Sequence, residues 1–220
     1  MAAARVKAVI FDLGRVVVDF DHTIAARRIS AFTAKNQEEI YRLFFESEIT
    51  ARFEEGKISG LDFFRAVKEM LGLGIEYEQF LPIWNEIFFL SAKNMAVCEI
   101  AKVLAQDYRL ALLTNINILH FEYIKNNFSV FDIFPAIIAS FKEGFIKPHP
   151  EIYKRALGIL GVLPEETFYT DDRQELIAEA NKLGLRGFVF KGVGQLKEDL
   201  RANGIEIEFS PHLGIETKYL

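Results

Sequence analysis

The sequence is poor in cysteine and in long apolar runs, and each shortage excludes a class of protein. Cys98 is the only cysteine among 220 residues, so no internal disulfide can form. Its place in the apolar stretch MAVCEIAKVLA predicts a small buried hydrophobe in a reducing compartment. No apolar run reaches the roughly 18 residues of a membrane span, and the start MAAARVKAVIFDLG lacks the apolar region of a signal peptide. We therefore expect a cytoplasmic protein with no membrane partner.

Positive charge and metal-binding histidine pairs are also scarce. The chain has 26 Lys+Arg against 31 Asp+Glu, a formal net charge of −5. Nucleic-acid binding needs clustered basic side chains, so we expect no nucleic-acid partner. The 4 histidines have no ligand spacing such as His-x-x-x-His, which argues against a zinc site. No glycine-rich loop of the G-x-x-x-x-G-K type is present, which excludes that route to nucleoside triphosphate hydrolysis.

Five short apolar runs, each followed by turn residues, predict strands that are buried on both faces. They are KAVIFDL (7–13), RLALLTN (109–115), AIIAS (136–140), TFYTD (167–171) and RGFVFK (186–191). Helical patterns separate most of them, and strands that alternate with helices form parallel sheets through right-handed crossovers. The sequence therefore predicts an α/β fold with a doubly wound parallel sheet. The tail after Gly204 predicts an edge strand.

The alternation breaks once, between the first and second predicted strands. Residues 21–91 contain four helical patterns and no buried strand, and Ser59 is a plausible N-cap for the third helix. A stretch this long exceeds one crossover, so we expect an α/β core domain at 1–20 and 92–220 and an inserted helical domain at 21–91. Aromatic residues predict a small core within the insertion: Phe44, Phe45, Phe63, Phe64, Trp84, Phe88 and Phe89.

Polar side chains follow four separate elements at the carboxyl end of the predicted sheet, where ligands bind in such folds. They are Asp12, the pair Thr114–Asn115, Lys147 just before a helix, and the pair Asp171–Asp172. Carboxylates at a sheet edge suggest a hard cation such as Mg²⁺. A hydroxyl, a free backbone N–H and a lysine ammonium added to that cation can hold a phosphoryl group while one Asp attacks phosphorus. The joint pattern predicts phosphoryl chemistry, although each residue alone is weak evidence.

These motifs resemble the haloacid dehalogenase-like (HAD) hydrolases over nearly the whole chain. VIFDLGRVVVD is similar to motif one of that family, LLTN to motif two, the lysine of KPHPEIY to motif three, and FYTDDRQELIAEANKLG to motif four. The insertion after motif one resembles a C1-type cap, and FEEGKISGLDFF resembles a recurrent cap segment. The branch it resembles most is that of the sugar-phosphate phosphatase-like members.

The resemblance implies a nucleophile and a metal site. Asp12 would be the nucleophile that forms an aspartyl-phosphate. The Asp12 carboxylate, the Gly14 backbone carbonyl and Asp172 would bind Mg²⁺, with Asp171 supporting these ligands from behind or through water. We favour Asp172 over Asp171 as the direct ligand, with Asp171 as the structural acid at the strand end.

The resemblance also implies a phosphate site and an activity. Thr114 and the Asn115 backbone would grip the phosphate, and Lys147 would hold nucleophile and phosphate together. The implied function is Mg²⁺-dependent hydrolysis of a small phosphorylated metabolite, such as a sugar phosphate. Dehalogenation is a lesser alternative, because it needs no metal and that branch typically carries an aromatic residue where Gly14 stands.

Position 14 departs from the family pattern. Phosphatases of the family usually carry there a second aspartate, which protonates the leaving group and then activates water. Gly14 keeps a carbonyl for the metal but transfers no proton, and losing a general acid/base lowers rates by about 10²–10⁴. Three interpretations stay open: a phosphatase for good leaving groups, one that takes its acid from Asp19 or Asp21, or a weakly active or inactive phospho-ligand-binding protein.

Two further groups of residues are candidates for contacts at the site. The segment Arg52, Phe53 and Glu54 lies in the predicted cap and is a candidate to face the substrate, because a cap closes over the core site and excludes water. His149, in KPHP, is expected to make a helix-entry contact near Lys147, with a substrate contact as the second interpretation. Neither the substrate nor the oligomeric state is indicated by the sequence.

Overall fold

The computed structural model describes residues 4–45 and 47–207 of the chain. Over these residues the strands are β1 (Ala8–Phe11), β2 (Asp19–Phe20), β3 (Phe88–Phe89), β4 (Arg109–Thr114), β5 (Ala136–Ala139), β6 (Thr167–Asp171) and β7 (Arg186–Val189). The helices are α1 (His22–Ile29), α2 (Gln37–Phe45), α3 (Glu48–Glu54), α4 (Gly60–Leu71), α5 (Tyr77–Asn85), α6 (Ala92–Leu104), α7 (Ile118–Asn127), α8 (Ser140–Glu143), α9 (Pro150–Leu160), α10 (Gln174–Lys182) and α11 (Val193–Ala202). Short 3₁₀ turns lie at Ser30–Phe32, Ser129–Ile133 and Pro164–Glu166.

A five-stranded sheet with the order β5-β4-β1-β6-β7 forms the centre of the molecule. Every pairing in it is parallel, so all the carboxyl ends lie at one edge. The five predicted strands and the doubly wound α/β fold are confirmed. The first strand lies in the middle and later strands add on both sides of it, which places a topological switch point beside β1.

Alternate residues of β1 bury in two different cores, as a strand covered on both faces requires. Val9 and Phe11 belong to a cluster completed by α6, α7 and α11. Ala8 and Ile10 belong to a cluster completed by α9 and α10. Cys98 is buried within the first cluster, in agreement with the expected buried hydrophobe.

Helices α1–α5, which lie between β1 and β4 in the sequence, build a third, separate core. Phe44, Phe63, Phe64 and Trp84 are buried there, as predicted. Helix α4 begins at the predicted cap, where the Ser59 side chain accepts a hydrogen bond from the Asp62 N–H at 3.1 Å. The side chain of Phe45 lies outside the described residues. The helical character of the insertion is thus confirmed, although α3 was not among the four predicted helices. The domain boundaries stay a prediction.

The chain enters and leaves this helical segment side by side. Strands β2 and β3 pair antiparallel, with Asp19 opposite Phe89 and Phe20 opposite Phe88. The sequence analysis missed this two-residue ladder, and it wrongly assigned Phe89 to the core. Phe89 is 45% exposed because alternate residues of a strand face opposite ways.

The carboxyl terminus differs from the prediction as far as it is described. Residues 205–207 form no strand, and residues 208–220, where the rest of the predicted edge strand falls, lie outside the described residues. Within the described part of the chain, no helix has both the length and the apolar character needed to cross a membrane.

Candidate active site

The carboxyl ends of β1, β4 and β6 line a cavity of about 440 Å³ between the sheet edge and the helical segment. All the residues predicted as nucleophile, phosphate ligands or metal ligands line it: Asp12, Gly14, Thr114, Asn115, Lys147, Asp171 and Asp172. They come from segments far apart in the chain, so the fold brings the predicted constellation together.

Lys147 is the centre of a buried network in this cavity. Its Nζ donates to Asp12 Oδ1 at 2.6 Å and to Asp171 Oδ2 at 2.6 Å. The Leu113 carbonyl accepts a third hydrogen bond at 2.8 Å. The side chain is only 2% exposed, and a buried ammonium is stable only when such partners surround it. Burial alone would lower the pKa of Lys147, but the charges of Asp12 and Asp171 outweigh burial and raise it.

One ammonium does not balance the carboxylates beside it, and the imbalance falls on Asp12. Burial raises the pKa of Asp12 to about 7. The negative charge of Asp171 raises it further, and the positive charge of Lys147 opposes both effects. For Asp171, burial would raise the pKa, but Lys147 and the Tyr169 hydroxyl lower it. The positive charge of Lys147 therefore chiefly balances Asp171, and the negative charge of an ionised Asp12 is left without a balancing charge.

The excess negative charge fits a hard cation. Asp12, Asp171 and Asp172 each place a carboxylate oxygen within 4.8 Å of the other two. Asp171 is fully buried and occupied by Lys147, and its other oxygen accepts from the Arg173 N–H at 3.0 Å. Asp172 is 21% exposed, and its ion pair with Arg15 is long, at 3.8 Å. Its oxygens therefore face the cavity with few protein partners, which suits a Mg²⁺ ligand.

The segment after β1 is a tight turn that carries Gly14 past the cavity. The N–H groups of Val17 and Val18 both donate to the Leu13 carbonyl at 2.9 Å. Arg15 has a φ of 59°, an uncommon conformation for a residue with a side chain. Its guanidinium lies 5.1 Å from the Phe20 ring centroid. A turn after β1 was predicted, but its backbone conformation was not, since the only sequence signal for it is the glycine.

Asn115 ties the loop after β4 to the loop that carries Lys147. The Asn115 side chain accepts from the Lys147 N–H at 2.7 Å and donates to the Lys147 carbonyl at 2.9 Å. These two bonds place the Lys147 backbone against the end of β4. Thr114 is buried at the same strand end.

His149 caps α9, where its Nδ1 accepts a hydrogen bond from the Glu151 N–H at 3.2 Å. This is the helix-entry contact that we expected.

The space that a side chain at position 14 would need is taken by Phe20. A Cβ on Gly14 would lie 2.7 Å from Phe20 Cε1, closer than real Cβ atoms approach. Position 14 thus lacks the aspartate, and the ring of Phe20 in β2 occupies the space that a side chain there would need.

We expect Gly14→Asp to restore no activity by itself, because Phe20 must first move. Overpacking of this kind destabilises proteins by about 1–3 kcal/mol. A lower melting temperature with no faster turnover of alkyl phosphates would confirm this. The double variant Gly14→Asp/Phe20→Ala removes the clash and is the matched control. Faster turnover in the single variant would contradict the steric argument.

One wall of the cavity is aromatic and was not predicted from the sequence. It is formed by Phe20, His22, Tyr41, Phe88 and His120. Burial, together with the charge of Arg15, lowers the pKa of His22 to about 4. Burial lowers that of His120 to about 3, and its ring stacks on Trp84. Both histidines are therefore neutral at pH 7. Their positions follow from the packing of the helical segment on the core, which no local pattern reveals.

The two sequence candidates for a replacement acid are bound elsewhere. Asp19 accepts from Lys93 Nζ at 2.7 Å and from Ser91 Oγ at 2.8 Å. Asp21 is the N-cap of α1, where it accepts from the Thr23 N–H at 2.8 Å. Neither lines the cavity.

Of the three candidate residues in the predicted cap, one lines the cavity and two do not. Arg52 is exposed and Phe53 is buried in the helical core, where its ring stacks on Phe63. Glu54 alone of the three lines the cavity.

Comparison with known proteins agrees with this geometry. The family model described as haloacid dehalogenase-like hydrolase matches residues 6–184. A D-ribitol-5-phosphate phosphatase from Bacteroides thetaiotaomicron is 24% identical over 83% of this chain and 91% of its own. A sesquiterpene phosphatase from Aspergillus oryzae is 26% identical over 82% of this chain and 88% of its own.

A solved structure adds a ligand-bound relative. The crystal structure of a HAD family enzyme from Bacteroides thetaiotaomicron, in complex with magnesium and inorganic phosphate, superposes with a TM-score of 0.74 at 26% identity. The match covers 84% of this chain and 94% of that one. The resemblance drawn from the four motifs is confirmed, and the chain belongs to the haloacid dehalogenase-like hydrolases.

Proposed function

We propose that the protein is a Mg²⁺-dependent phosphatase that hydrolyses a small phosphate monoester through an aspartyl-phosphate on Asp12. The observation that carries this proposal is the buried Lys147, bonded at 2.6 Å to both Asp12 and Asp171 beside the half-buried Asp172. This arrangement supports a nucleophilic role for one carboxylate, and the cavity of about 440 Å³ has room for a cation and a phosphoryl group. The named phosphatases among the relatives support the same reaction class.

Each protein group has a definite task in this reaction. The Asp12 carboxylate attacks phosphorus, since Lys147 holds it in one orientation. The Thr114 hydroxyl and the Asn115 N–H hold phosphoryl oxygens at the end of β4. Asp12, the Gly14 carbonyl and Asp172 would hold Mg²⁺, with Asp171 behind them. When bound, the cation would supply positive charge that neutralises the phosphoryl oxygens.

We also propose the wider setting of the site. Residues 21–91 act as a cap that closes over a core formed by 1–20 and 92–220, and closure excludes water from the phosphoryl group. The substrate is a small phosphorylated metabolite, and a sugar or sugar-alcohol phosphate is favoured by one relative. The protein acts in the cytoplasm.

A second candidate function is a phospho-ligand-binding protein with little or no turnover. It is favoured by Gly14 and by Phe20, which together remove the usual proton donor and fill its place.

One assay separates the two functions. We expect Mg²⁺-dependent release of p-nitrophenolate from p-nitrophenyl phosphate, because this leaving group needs no proton. Activity that EDTA abolishes and Mg²⁺ restores would support the phosphatase. Absence of turnover, with Mg²⁺ and inorganic phosphate still bound in calorimetry, would support the binding protein and overturn the phosphatase.

The affinity for Mg²⁺ should rise with pH between 6 and 8. A cation binds ionised carboxylates and displaces their protons. Because burial raises the pKa of Asp12 to about 7 in the metal-free protein, protons compete with the cation below that pH and not above it. Calorimetry in buffers of different ionisation enthalpy should show about one proton released per Mg²⁺ at pH 6 and almost none at pH 8. Equal affinity and no proton release at both pH values would contradict this site.

A further inference from the structure

The proposed reaction needs a proton donor and then a base, and the residues assigned so far supply neither. Asp12 is the proposed nucleophile, Asp171 is paired with Lys147, and Asp172 would bind the cation. Position 14 is a glycine whose side-chain space Phe20 fills. The cavity nevertheless contains one more carboxylate, Glu54.

Glu54 is the last residue of α3 and has a half-buried side chain. Among the described residues, its carboxylate forms no hydrogen bond or ion pair, unlike Asp19 and Asp21. Glu54 thus lines the cavity from a helix of the helical segment, whereas Asp12 and Asp171 line it from the sheet.

The backbone at Glu54 is fastened to the core beside the proposed phosphate loop. The Glu54 carbonyl accepts from Ser140 Oγ at 2.6 Å, and the same Oγ accepts from the Ile116 N–H at 2.9 Å. Two residues later, Gly56 has a φ of 68°, and a side chain there would collide with the Phe141 carbonyl. The Ser140 bridge thus holds the Glu54 backbone beside Ile116, and the close approach of Gly56 to Phe141 packs the end of α3 against the core.

The charges around Glu54 leave it able to exchange a proton at neutral pH. Burial raises its pKa to about 7, opposed by the positive charges of Arg173 and Lys147. The other ionisable groups that line the cavity are Asp12, Arg15, Asp171, Asp172 and, on the aromatic wall, His22, Tyr41 and His120. The two histidines have low pKa values and are neutral, so neither is a ready acid at pH 7.

We propose that Glu54 is the catalytic proton donor and base of this site, in place of the residue missing at position 14. The assignment rests on the proposed phosphatase function and deepens it. In the first step, Asp12 attacks phosphorus, the P–O bond to the leaving group breaks, and the Glu54 carboxylic acid gives its proton to the departing oxygen. In the second step, the Glu54 carboxylate takes a proton from water, the water oxygen attacks phosphorus, and the bond between Asp12 and phosphorus breaks. Inorganic phosphate leaves, and Glu54 is again protonated.

The two steps can be separated with Glu54→Gln and two aryl esters of nearly the same shape. p-Nitrophenolate leaves without a proton, so the variant should release one equivalent per site in a fast burst and then turn over slowly. Mass spectrometry should show the accumulated phosphoenzyme. With phenyl phosphate the leaving group needs a proton, and the first turnover should slow by about 10²–10⁴-fold.

The adjacent carboxylate provides the matched control. Glu55 pairs with Lys57 at 2.7 Å and does not line the cavity, so Glu55→Gln should leave both substrates unaffected. A merely structural role for Glu54 would change both esters equally or raise only KM, without a burst or a phosphoenzyme. That result would overturn the proposed role of Glu54 and would leave the proposed phosphatase function untouched. An unmodified protein with no Asp12-dependent turnover would instead overturn the phosphatase, and Glu54 with it.

Discussion

Asp12→Asn should abolish phosphate release from p-nitrophenyl phosphate, with kcat at least about 10⁴-fold lower, given that loss of an enzyme nucleophile costs up to about 10⁶ in kcat. The amide has nearly the shape of the carboxylate but no negative oxygen to attack phosphorus. It also removes a ligand from the proposed cation site. Steady-state assays with saturating Mg²⁺, together with a search for the phosphoenzyme by mass spectrometry, measure both effects.

The same substitution should leave the fold intact, which separates loss of chemistry from loss of structure. Burial raises the pKa of Asp12 from 3.8 to about 7, so the ionised carboxylate opposes folding above pH 7. Replacing it with a neutral amide relieves the excess negative charge around Lys147. The melting temperature at pH 8 should therefore stay the same or rise.

A control and a contrary outcome complete this experiment. Asp107 is an exposed acid distant from the cavity in the loop before β4, so Asp107→Asn should keep full activity. If Asp12→Asn keeps substantial turnover while Asp107→Asn behaves as expected, another group attacks phosphorus and the aspartyl-phosphate is wrong.

The sequence predicts the core of this site well because a parallel sheet gathers strand ends at one edge. Asp12, Thr114 and Asp171 each lie at the end of a run of mostly buried residues, and knowing where a strand ends is enough to place them. Lys147 belongs to a loop rather than a strand. Its position follows from the proline-bounded start of α9 and from the resemblance to motif three.

The other side of the cavity is set by contacts that local patterns do not contain. Phe20 and Phe88 meet because β2 and β3 pair across the base of the helical segment. Glu54 reaches the cavity because Ser140 and Gly56 fix α3 against the core. The sequence could nominate the segment 52–54, but the helix phase that selects Glu54 over Arg52 and Phe53 depends on tertiary packing.

Replacing Lys147 with methionine tests the balance of buried charge on which the whole site depends. Methionine keeps much of the side-chain length but leaves Asp12 and Asp171 without a cation. Breaking a buried ion pair by removing one partner costs about 3–5 kcal/mol. For a chain of this size, we expect a fall of roughly 6–20 °C in melting temperature, and no phosphate release.

The pH dependence of this loss distinguishes charge from packing. Without Lys147, the pKa of Asp12 rises further above the unfolded value of 3.8, and the pKa of Asp171, which Lys147 lowers in the unmodified protein, rises as well. The folded variant therefore binds more protons than its unfolded state. Stability should therefore increase as pH falls from 8 toward 5, and the deficit relative to the unmodified protein should shrink. Lys154→Met, which removes an exposed pair with Glu151, should show little change at either pH. A deficit of equal size at pH 5 and pH 8 would mean that Lys147 stabilises the fold by packing, and that the excess charge assigned to Asp12 is absent.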